Sequence, residues 1–411
     1  MTHSDEDAQR AKPEAVGADP ATRSRGRAAQ AQARGRRRLY VLIGLVAVIA
    51  LALVLGPKLF GGPKVPADYT GAGKEDIVVE VHPGDSGSVI AANLVEKGVI
   101  ADVDPFMTAA HGNAALAAIQ PGYYKLRTEI PGATAVTKLT DPASRVGKLT
   151  IPEGKQLDDH EVIGTGSVNP GIFSLIAEAS CVDLNGSKKC VSAKDLKAAA
   201  GDGPLSSLNV PDWALKGAGV MGQSHRRLEG LIAAGTWNID PFAAPKQILA
   251  TLVAESNEKY LKGGLLDAAK GLNLSPYEVL IVGSLVQKEA QPADFAKVAR
   301  VIYNRLANWY DRLEFDSTVN YPLDRRELAT TDADRHTETP WNTYAKSGLP
   351  ATPICSPGAD ALAAAERPEP GDWLYFVTVD ANGTTLFTSD YQEHLANRDK
   401  ALNSGILNSG R

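Results

Sequence analysis

The sequence predicts an α+β protein: one membrane-crossing helix, then a small strand-and-helix unit, then a mixed α+β domain with a helix-rich core. Three observations carry this. Residues 39–56 hold no charge and follow a cluster of arginines. Apolar and polar residues alternate over Asp76 to His82 before a helical spacing sets in. From Pro245 onward the apolar spacing is that of helices, most clearly after Ser275. At 411 residues the chain can hold two or three domains. Its formal charge of -5 argues against nucleic acid as the main partner.

Residues 1–38 are rich in Ala, Arg and Asp and nearly free of aromatic and branched aliphatic residues, so they cannot bury enough surface to fold. They read as a disordered basic tail; a docking tail for cytoplasmic partners is the alternative. Residues 39–60 read as the transmembrane helix, since about 20 apolar residues span a bilayer. Arg34, Arg36, Arg37 and Arg38 precede it and keep the N-terminus in the cytoplasm. A cleaved signal peptide is the rival reading, but the charged leader is long and no small-x-small site clearly follows the apolar run. The rest of the chain is then exported and bound to the cell membrane by a single pass.

Residues 61–75 are a Gly/Pro-rich linker. The small unit is expected over 76–147, with a strand at Asp76 to His82, a helix from Ser88 to Lys97 stopped by Gly98, and a helix from Pro105 to Ile119. A strand around Tyr123, Tyr124 and Leu126 closes it. The large domain is expected over 148–404, followed by a tail of residues 405–411. A strand at Lys148 to Glu153 opens it, Leu157 to Ile163 starts a helix, and a loop-rich insertion covers about 178–212. Ala250 to Leu261 fits a helix broken by Gly263-Gly264. Ser275, Pro276 and Glu278 form a Ser-x-x-Glu capping box ahead of a very apolar helix, which Gln291-Pro292 ends. A further helix runs from about Ala293 to Trp309.

Cys181 and Cys190 flank a turn-rich stretch and, in an exported domain, read as a disulfide closing a small loop. Zinc has too few companion ligands near them. Cys355 reads as a buried thiol.

Glu289 ends the buried apolar helix just before a chain reversal. A carboxyl group there is partly desolvated, which raises its pKa and lets it donate a proton near neutral pH. Acid-assisted cleavage of a glycosidic bond needs such a group. A solvated helix-terminal glutamate is the plain alternative, and spacing alone does not decide between them.

The surrounding blocks bear on that choice. Ser284-Leu285-Val286-Gln287-Lys288-Glu289-Ala290, Val298 through Leu306, and Leu313 through Tyr321 come in order. Trp341-Asn342-Thr343-Tyr344, Gly348-Leu349-Pro350, Pro353-Ile354 and Ser356-Pro357-Gly358 follow, then Leu374 through Val377 and Phe387 through His394; Leu228-Glu229-Gly230 is a fainter upstream match. Together they resemble the YceG-like (MltG) family of endolytic murein transglycosylases, over about half the chain and in the family's order. With the Ala-, Gly- and Asp-rich composition, the resemblance suggests an actinobacterial type. It implies a LysM-like unit at 76–147, Glu289 as the catalytic acid, no metal or cofactor, and peptidoglycan glycan strands as substrate. Penicillin-binding proteins and the wall-elongation or division machinery are the partners it implies. Gln287 stands where the family has Glu, Glu314 where it usually has Gln, Ser317 where Pro is common, and Ala351-Thr352 where it has Pro-Gly.

By that resemblance Glu289 protonates the bridging oxygen of a MurNAc–GlcNAc bond within a nascent strand and yields a 1,6-anhydro-MurNAc end, terminating strand elongation. Asn304, Asp316, Thr318, Asn342, Thr343 and Tyr344 are the candidate substrate-binding residues, because amides, hydroxyls and aromatic faces suit sugars. Asp316 is open between an orienting carboxylate and a loop cap, and Tyr303 and Leu349 read as core. Two other functions remain open: a muramidase using Glu314 or Asp316 as second carboxylate, and a non-catalytic wall-binding or division scaffold.

Overall fold

The computed structural model describes residues 67–111, 119–162, 165–307, 312–323 and 330–405. The expected tail at 1–38, the membrane span at 39–60, the linker as far as residue 66 and nearly all of the C-terminal tail lie outside these residues. Among the described residues no helix is long and apolar enough to cross a membrane. The chain from Asp68 onward forms one compact unit.

Two hydrophobic clusters organise that unit. The first belongs to the small unit. Strand β1 (Asp76–Val81) is followed by helices α1 (Gly87–Glu96) and α2 (Val103–Ala110), strand β2 (Gly122–Arg127), helix α3 (Gly132–Thr140) and strand β3 (Arg145–Val146). β1 and β2 run antiparallel, with Asp76 opposite Arg127 and Val81 opposite Gly122, and β3 adds to β2. The alternation in β1 turns Val79 and Val81 inward onto Leu94, Phe106 and Leu126. Ser86 caps α1, its hydroxyl accepting from the Val89 N–H at 3.3 Å. Gly98 stops α1 at a φ of +68°, a left-handed conformation that glycine adopts without strain. The second helix was expected to reach Ile119; α2 ends at Ala110, and residues 112–118 lie outside the described residues.

The second cluster fills the rest. Strand β4 (Lys148–Ile151) is shorter than expected, and among the described residues no helix starts at Leu157. Instead β5 (His160–Glu161) pairs with β6 (Val168–Asn169), and the helix, α4 (Ile172–Ala179), begins later. Asp159 explains the delay. Its carboxylate accepts from the Gly171 N–H at 2.7 Å and the Ser174 hydroxyl at 2.9 Å, drawing the chain into a loop that competes with a helix at 157.

The stretch read as loop-rich is more ordered than its composition suggests. It holds the hairpin β7 (Val182–Leu184) and β8 (Ser187–Lys189), then helix α5 (Ala193–Gly201), whose Leu196 and Ala200 are fully buried. Cys181 and Cys190 are bonded across that hairpin, with Cα atoms 4.2 Å apart. A loop this short still restricts the unfolded chain. Replacing both cysteines by alanine is expected to lower the unfolding free energy by about 2 kcal/mol, read as a shift in urea midpoint.

Helix α6 (Asp212–Gly219) and strand β9 (Gly235–Asn238), which pairs with β4, lead into the helical core. α7 (Pro245–Gly263) starts on a first-turn proline and stops at Gly264, whose φ is +97°. α8 (Leu265–Leu272) and α9 (Pro276–Glu289) follow. The capping box at Ser275 and Glu278 is present in both directions. Val279, Leu280, Val282, Leu285 and Val286 are all fully buried, so α9 is covered on nearly every side. α10 (Phe295–Ala307), α11 (Asp316–Asn320) and α13 (Ala359–Glu366) pack against α9, and α12 (Asp332–His336) packs against α11. The described chain ends in a hairpin, β10 (Tyr375–Thr378) with β11 (Thr385–Thr388), and helix α14 (Tyr391–Ser404). The sheets hold three strands or two, so the architecture is mixed α+β with a helical core, as expected.

Candidate active site

The last turn of α9 sends three side chains in three directions, since successive helical residues are about 100° apart. Gln287 accepts from the Gly358 N–H at 2.7 Å, holding the start of α13. A Cβ at position 358 would meet the exposed Glu153 carboxylate at 2.2 Å, so that flexible side chain would have to turn aside. An amide at 287 accepts that N–H without adding a second charge beside Glu153 and Glu289. Lys288 donates to the Gly154 carbonyl at 2.5 Å. With both neighbours fastened to the scaffold, Glu289 is the residue left facing α11.

Protein encloses the Glu289 carboxyl on most sides, and this burial pushes its pKa up to about 7. The Ser317 hydroxyl and backbone N–H pull it partly back, Asp316 raises it further, and Arg305 lowers it. The Ser317 hydroxyl is buried and makes no full hydrogen bond, so its pull on Glu289 is chiefly that of a nearby dipole. A carboxylic acid near 7 is half-protonated at neutral pH, the condition for a general acid.

α11 is held by its surroundings rather than by its own length. Glu314 sits at a φ of +53° and donates its N–H to the Thr343 carbonyl at 3.2 Å, a sharp turn that sends Phe315 inward. The Phe315 N–H donates to the Thr343 hydroxyl at 3.0 Å, and the Thr318 and Thr343 hydroxyls meet at 2.9 Å. Thr318 and Thr343 are both fully buried. Their hydroxyls, expected to meet substrate, are here engaged in joining α11 to the Trp341–Tyr344 segment.

Asn342 is likewise engaged within the fold. It is 1% exposed and reaches the carbonyls of Asp334, Arg335 and Thr337 at 2.7–3.2 Å, while accepting from the Tyr344 N–H. It fixes the loop that carries α12. Asn304 donates to the carbonyls of Gly371 and Trp373 and so anchors the approach to β10. Amides suit sugars, but they suit stranded backbone carbonyls equally, and burial decides between the two uses.

Asp316 and Tyr344 do stand near Glu289. Asp316 accepts from the Tyr344 hydroxyl at 2.7 Å, the Thr330 hydroxyl at 2.8 Å and the Arg335 guanidinium at 3.3 Å. Arg335 also lies 4.9 Å from the Tyr344 ring centroid. Asp316 is thus the centre of a network and not a loop cap. A cavity of about 290 Å³ opens beside Glu289. Residues 288–291 form one wall and Thr378, Asp380, Ala381 and Gly383, from the β10–β11 turn, form the other. Its size is at the lower end for ligand sites, which run to roughly 300–1,000 Å³.

Comparison with protein families matches the YceG-like family over residues 79–400. The chain belongs to the YceG-like family. An endolytic murein transglycosylase of Bacillus subtilis strain 168 is 27% identical over 355 residues, covering 86% of this chain and 92% of its own. One from Streptococcus pneumoniae serotype 2 strain D39 is 27% identical over 304 residues, 70% of this chain and 52% of its own. The crystal structure of a putative yceG-like protein from Listeria monocytogenes aligns with a TM-score of 0.49 at 27% identity, over 78% of this chain and 98% of its own.

This YceG-like chain also carries functional groups that pattern reading did not single out. Arg305, on α10, joins the α11 approach to β10, donating to the carbonyls of Leu313 and Leu374, each at 2.6 Å. An arginine inside an apolar helix face was the available signal. The β10–β11 turn had only a short Asp-Ala-Asn-Gly stretch to mark it.

Glu229 is a second buried acid. It is 1% exposed and accepts from the Tyr321 hydroxyl at 2.7 Å and the Leu157 N–H at 3.2 Å, while its Oε1 has no partner. Burial pushes its pKa up to about 7. The folded state then holds a proton that the unfolded chain releases near 4.5. The stability tied to that proton is complete below about 4.5 and is lost as pH rises through about 7, up to about 3 kcal/mol. Glu229→Gln is expected to flatten the fall in urea midpoint between pH 5 and pH 8, relative to wild type.

Proposed function

We propose that the chain is a membrane-anchored endolytic transglycosylase that cuts the MurNAc–GlcNAc bond within nascent peptidoglycan strands. The observation that carries this reading is a carboxylic acid with a pKa near 7, Glu289, opening on a cavity in a YceG-like chain. Its relatives named above are endolytic murein transglycosylases.

The reaction follows from one acid. Glu289 gives its proton to the bridging oxygen, the bond from that oxygen to C1 breaks, and the electron pair leaves with the oxygen. The C6 hydroxyl of the same muramic acid then closes on C1, and its proton returns to the Glu289 carboxylate. The product is a 1,6-anhydro end. Attack from within the substrate takes the place of a bound water, with the entropic advantage of an intramolecular step. Asp316 serves as an orienting carboxylate. Its charge favours the protonated form of Glu289, and Arg335, Tyr344 and Thr330 hold it in place.

The muramidase reading needs a second carboxylate free to activate water. Asp316 is already engaged by three donors, which counts against Asp316 in that role. Mass spectrometry of digested glycan strands tests the proposal. Anhydro ends support it, reducing ends would replace it with the hydrolase, and intact strands would leave only a wall-binding scaffold.

In the same proposal residues 39–60 anchor the chain in the cell membrane with its N-terminus in the cytoplasm. Residues 76–147 act as a LysM-like unit between anchor and catalytic domain, and penicillin-binding proteins of the elongation or division machinery are partners. Support comes from the uncharged apolar run, the arginines before it and the family membership. A form lacking Met1 to Phe60 is expected to cut isolated strands at the wild-type rate while leaving the membrane fraction on centrifugation.

A further inference from the structure

The catalytic reading above places one acid in the site and leaves the charge that develops on the sugar unbalanced. When the bridging oxygen departs, positive charge spreads over C1 and the ring oxygen. A fixed negative group facing that position lowers the barrier, because it is already oriented when the charge appears. Asp316 is poorly placed for this, with its carboxylate occupied by Arg335, Tyr344 and Thr330.

The cavity offers another carboxylate. Its wall across from the end of α9 is the β10–β11 turn, and that turn contributes Thr378, Asp380, Ala381 and Gly383. The turn is well built. The Oδ1 of Asp380 accepts from the Asn382 N–H at 2.9 Å and the Thr384 N–H at 3.0 Å. The Val379 N–H donates to the Thr384 carbonyl at 2.8 Å, closing the loop beneath it. The strands behind pair in register, Thr378 opposite Thr385 and Tyr375 opposite Thr388. Asp380 is therefore held in one orientation by its own backbone, with Oδ1 committed to the turn.

We infer that Asp380 is the second carboxylate of the site, an ionised group that shares the cavity with Glu289 and stabilises the positive charge formed at the sugar as the glycosidic bond breaks. Asp380 exchanges no proton and forms no bond. It stays ionised throughout while Glu289 gives up a proton and recovers it. The two carboxyl groups are driven in opposite directions by their surroundings. Burial raises Glu289, whereas the Thr384 and Asn382 N–H groups hold Asp380 below the ordinary carboxylate range. Such divergence separates an acid from a charge stabiliser where two carboxylates share a site.

A purely structural role for Asp380 is the competing account, since Oδ1 shapes the turn. Asp380→Asn separates the two, because the amide oxygen can still accept both N–H groups while the charge is gone. The inference rests on the transglycosylase reading, and the experiment is steady-state cleavage of purified uncrosslinked glycan strands by the full chain in detergent. Asp380→Asn is expected to lower kcat roughly 10- to 100-fold with KM within about twofold of wild type and the melting temperature unchanged. Wild-type kcat, or a change confined to KM, overturns the inference. If the melting temperature drops, Asp380→Glu decides, since it disturbs the turn but keeps the charge. It must retain a higher kcat than Asp380→Asn, and equal loss in the two overturns the inference. Cleavage by wild type and by Asp380→Asn alike removes this inference alone, whereas no cleavage by wild type removes the transglycosylase reading as well.

Discussion

Glu289→Gln is expected to lower glycan cleavage by about a thousandfold while leaving the fold intact. A positioned general acid contributes roughly 10²- to 10⁴-fold. The amide has the shape of the protonated carboxyl and can still accept from the Ser317 N–H. It cannot give a proton to a departing oxygen. Because about half of the acid is already neutral near pH 7, replacing it with a neutral isostere removes little stability. The pH profile gives a second reading of the same group. The reaction needs the acid form, so the wild-type rate should fall as pH rises through about 7, approaching tenfold per unit at higher pH. Product formation by liquid chromatography, with melting temperature alongside, checks both. A Glu289→Gln variant cutting at the wild-type rate would end the assignment of this residue.

Arg305→Met should be the most destabilising single change near the site, by about 3–4 kcal/mol, with cleavage falling further than stability explains. Arg305 is 6% exposed. Its guanidinium donates to the carbonyls of Leu313 and Leu374 and lies 5.3 Å from the Tyr375 ring centroid. Methionine fills much of the volume but leaves both carbonyls without that charged donor, and each hydrogen bond to a charged group is worth about 1.5–3 kcal/mol. Those carbonyls belong to the two segments that frame the cleft, the approach to α11 and the start of β10. Loosening them separates Ser317 and the β10–β11 turn from Glu289. The loss of positive charge also lets the Glu289 pKa rise, since Arg305 normally lowers it. The expected signature is a lower urea midpoint together with an alkaline limb moved to higher pH. A variant with wild-type midpoint and profile would show that the guanidinium is dispensable.

The helices were the most legible part of the chain. α9 announced itself through Ser275, Pro276, Glu278 and an unbroken apolar run, and α7 through its closing glycines. The rules involved are local: a cap, a proline, a glycine at positive φ. The 157–163 segment was misread because Asp159 bonds to Gly171 and Ser174, partners 12 and 15 residues away. Helical spacing carries no information about such bonds. The 181–211 stretch looked like loop because its polar and turn residues outnumber the few, Leu196 and Ala200 among them, that reach the core.

The site divided in the same way. That Glu289 ends a buried helix before a chain reversal is written in the sequence, whereas the desolvation of its carboxyl was one of two readings until the packing around it was known. Residue type by itself favoured Asn304, Thr318, Asn342 and Thr343 as sugar contacts. Only the packed structure shows their polar atoms spent on backbone carbonyls, on backbone N–H groups and on one another. Conversely, Asp380 lies nearly a hundred residues beyond Glu289 and has no pattern tying the two. The sequence by itself determined the α+β class, the central helix and the position of the acid, because these follow from neighbours a few residues apart. The tertiary structure alone decided which polar groups face the cavity and which hold the walls, because a hydroxyl or amide has the same donors in either role and only burial and long-range partners distinguish them.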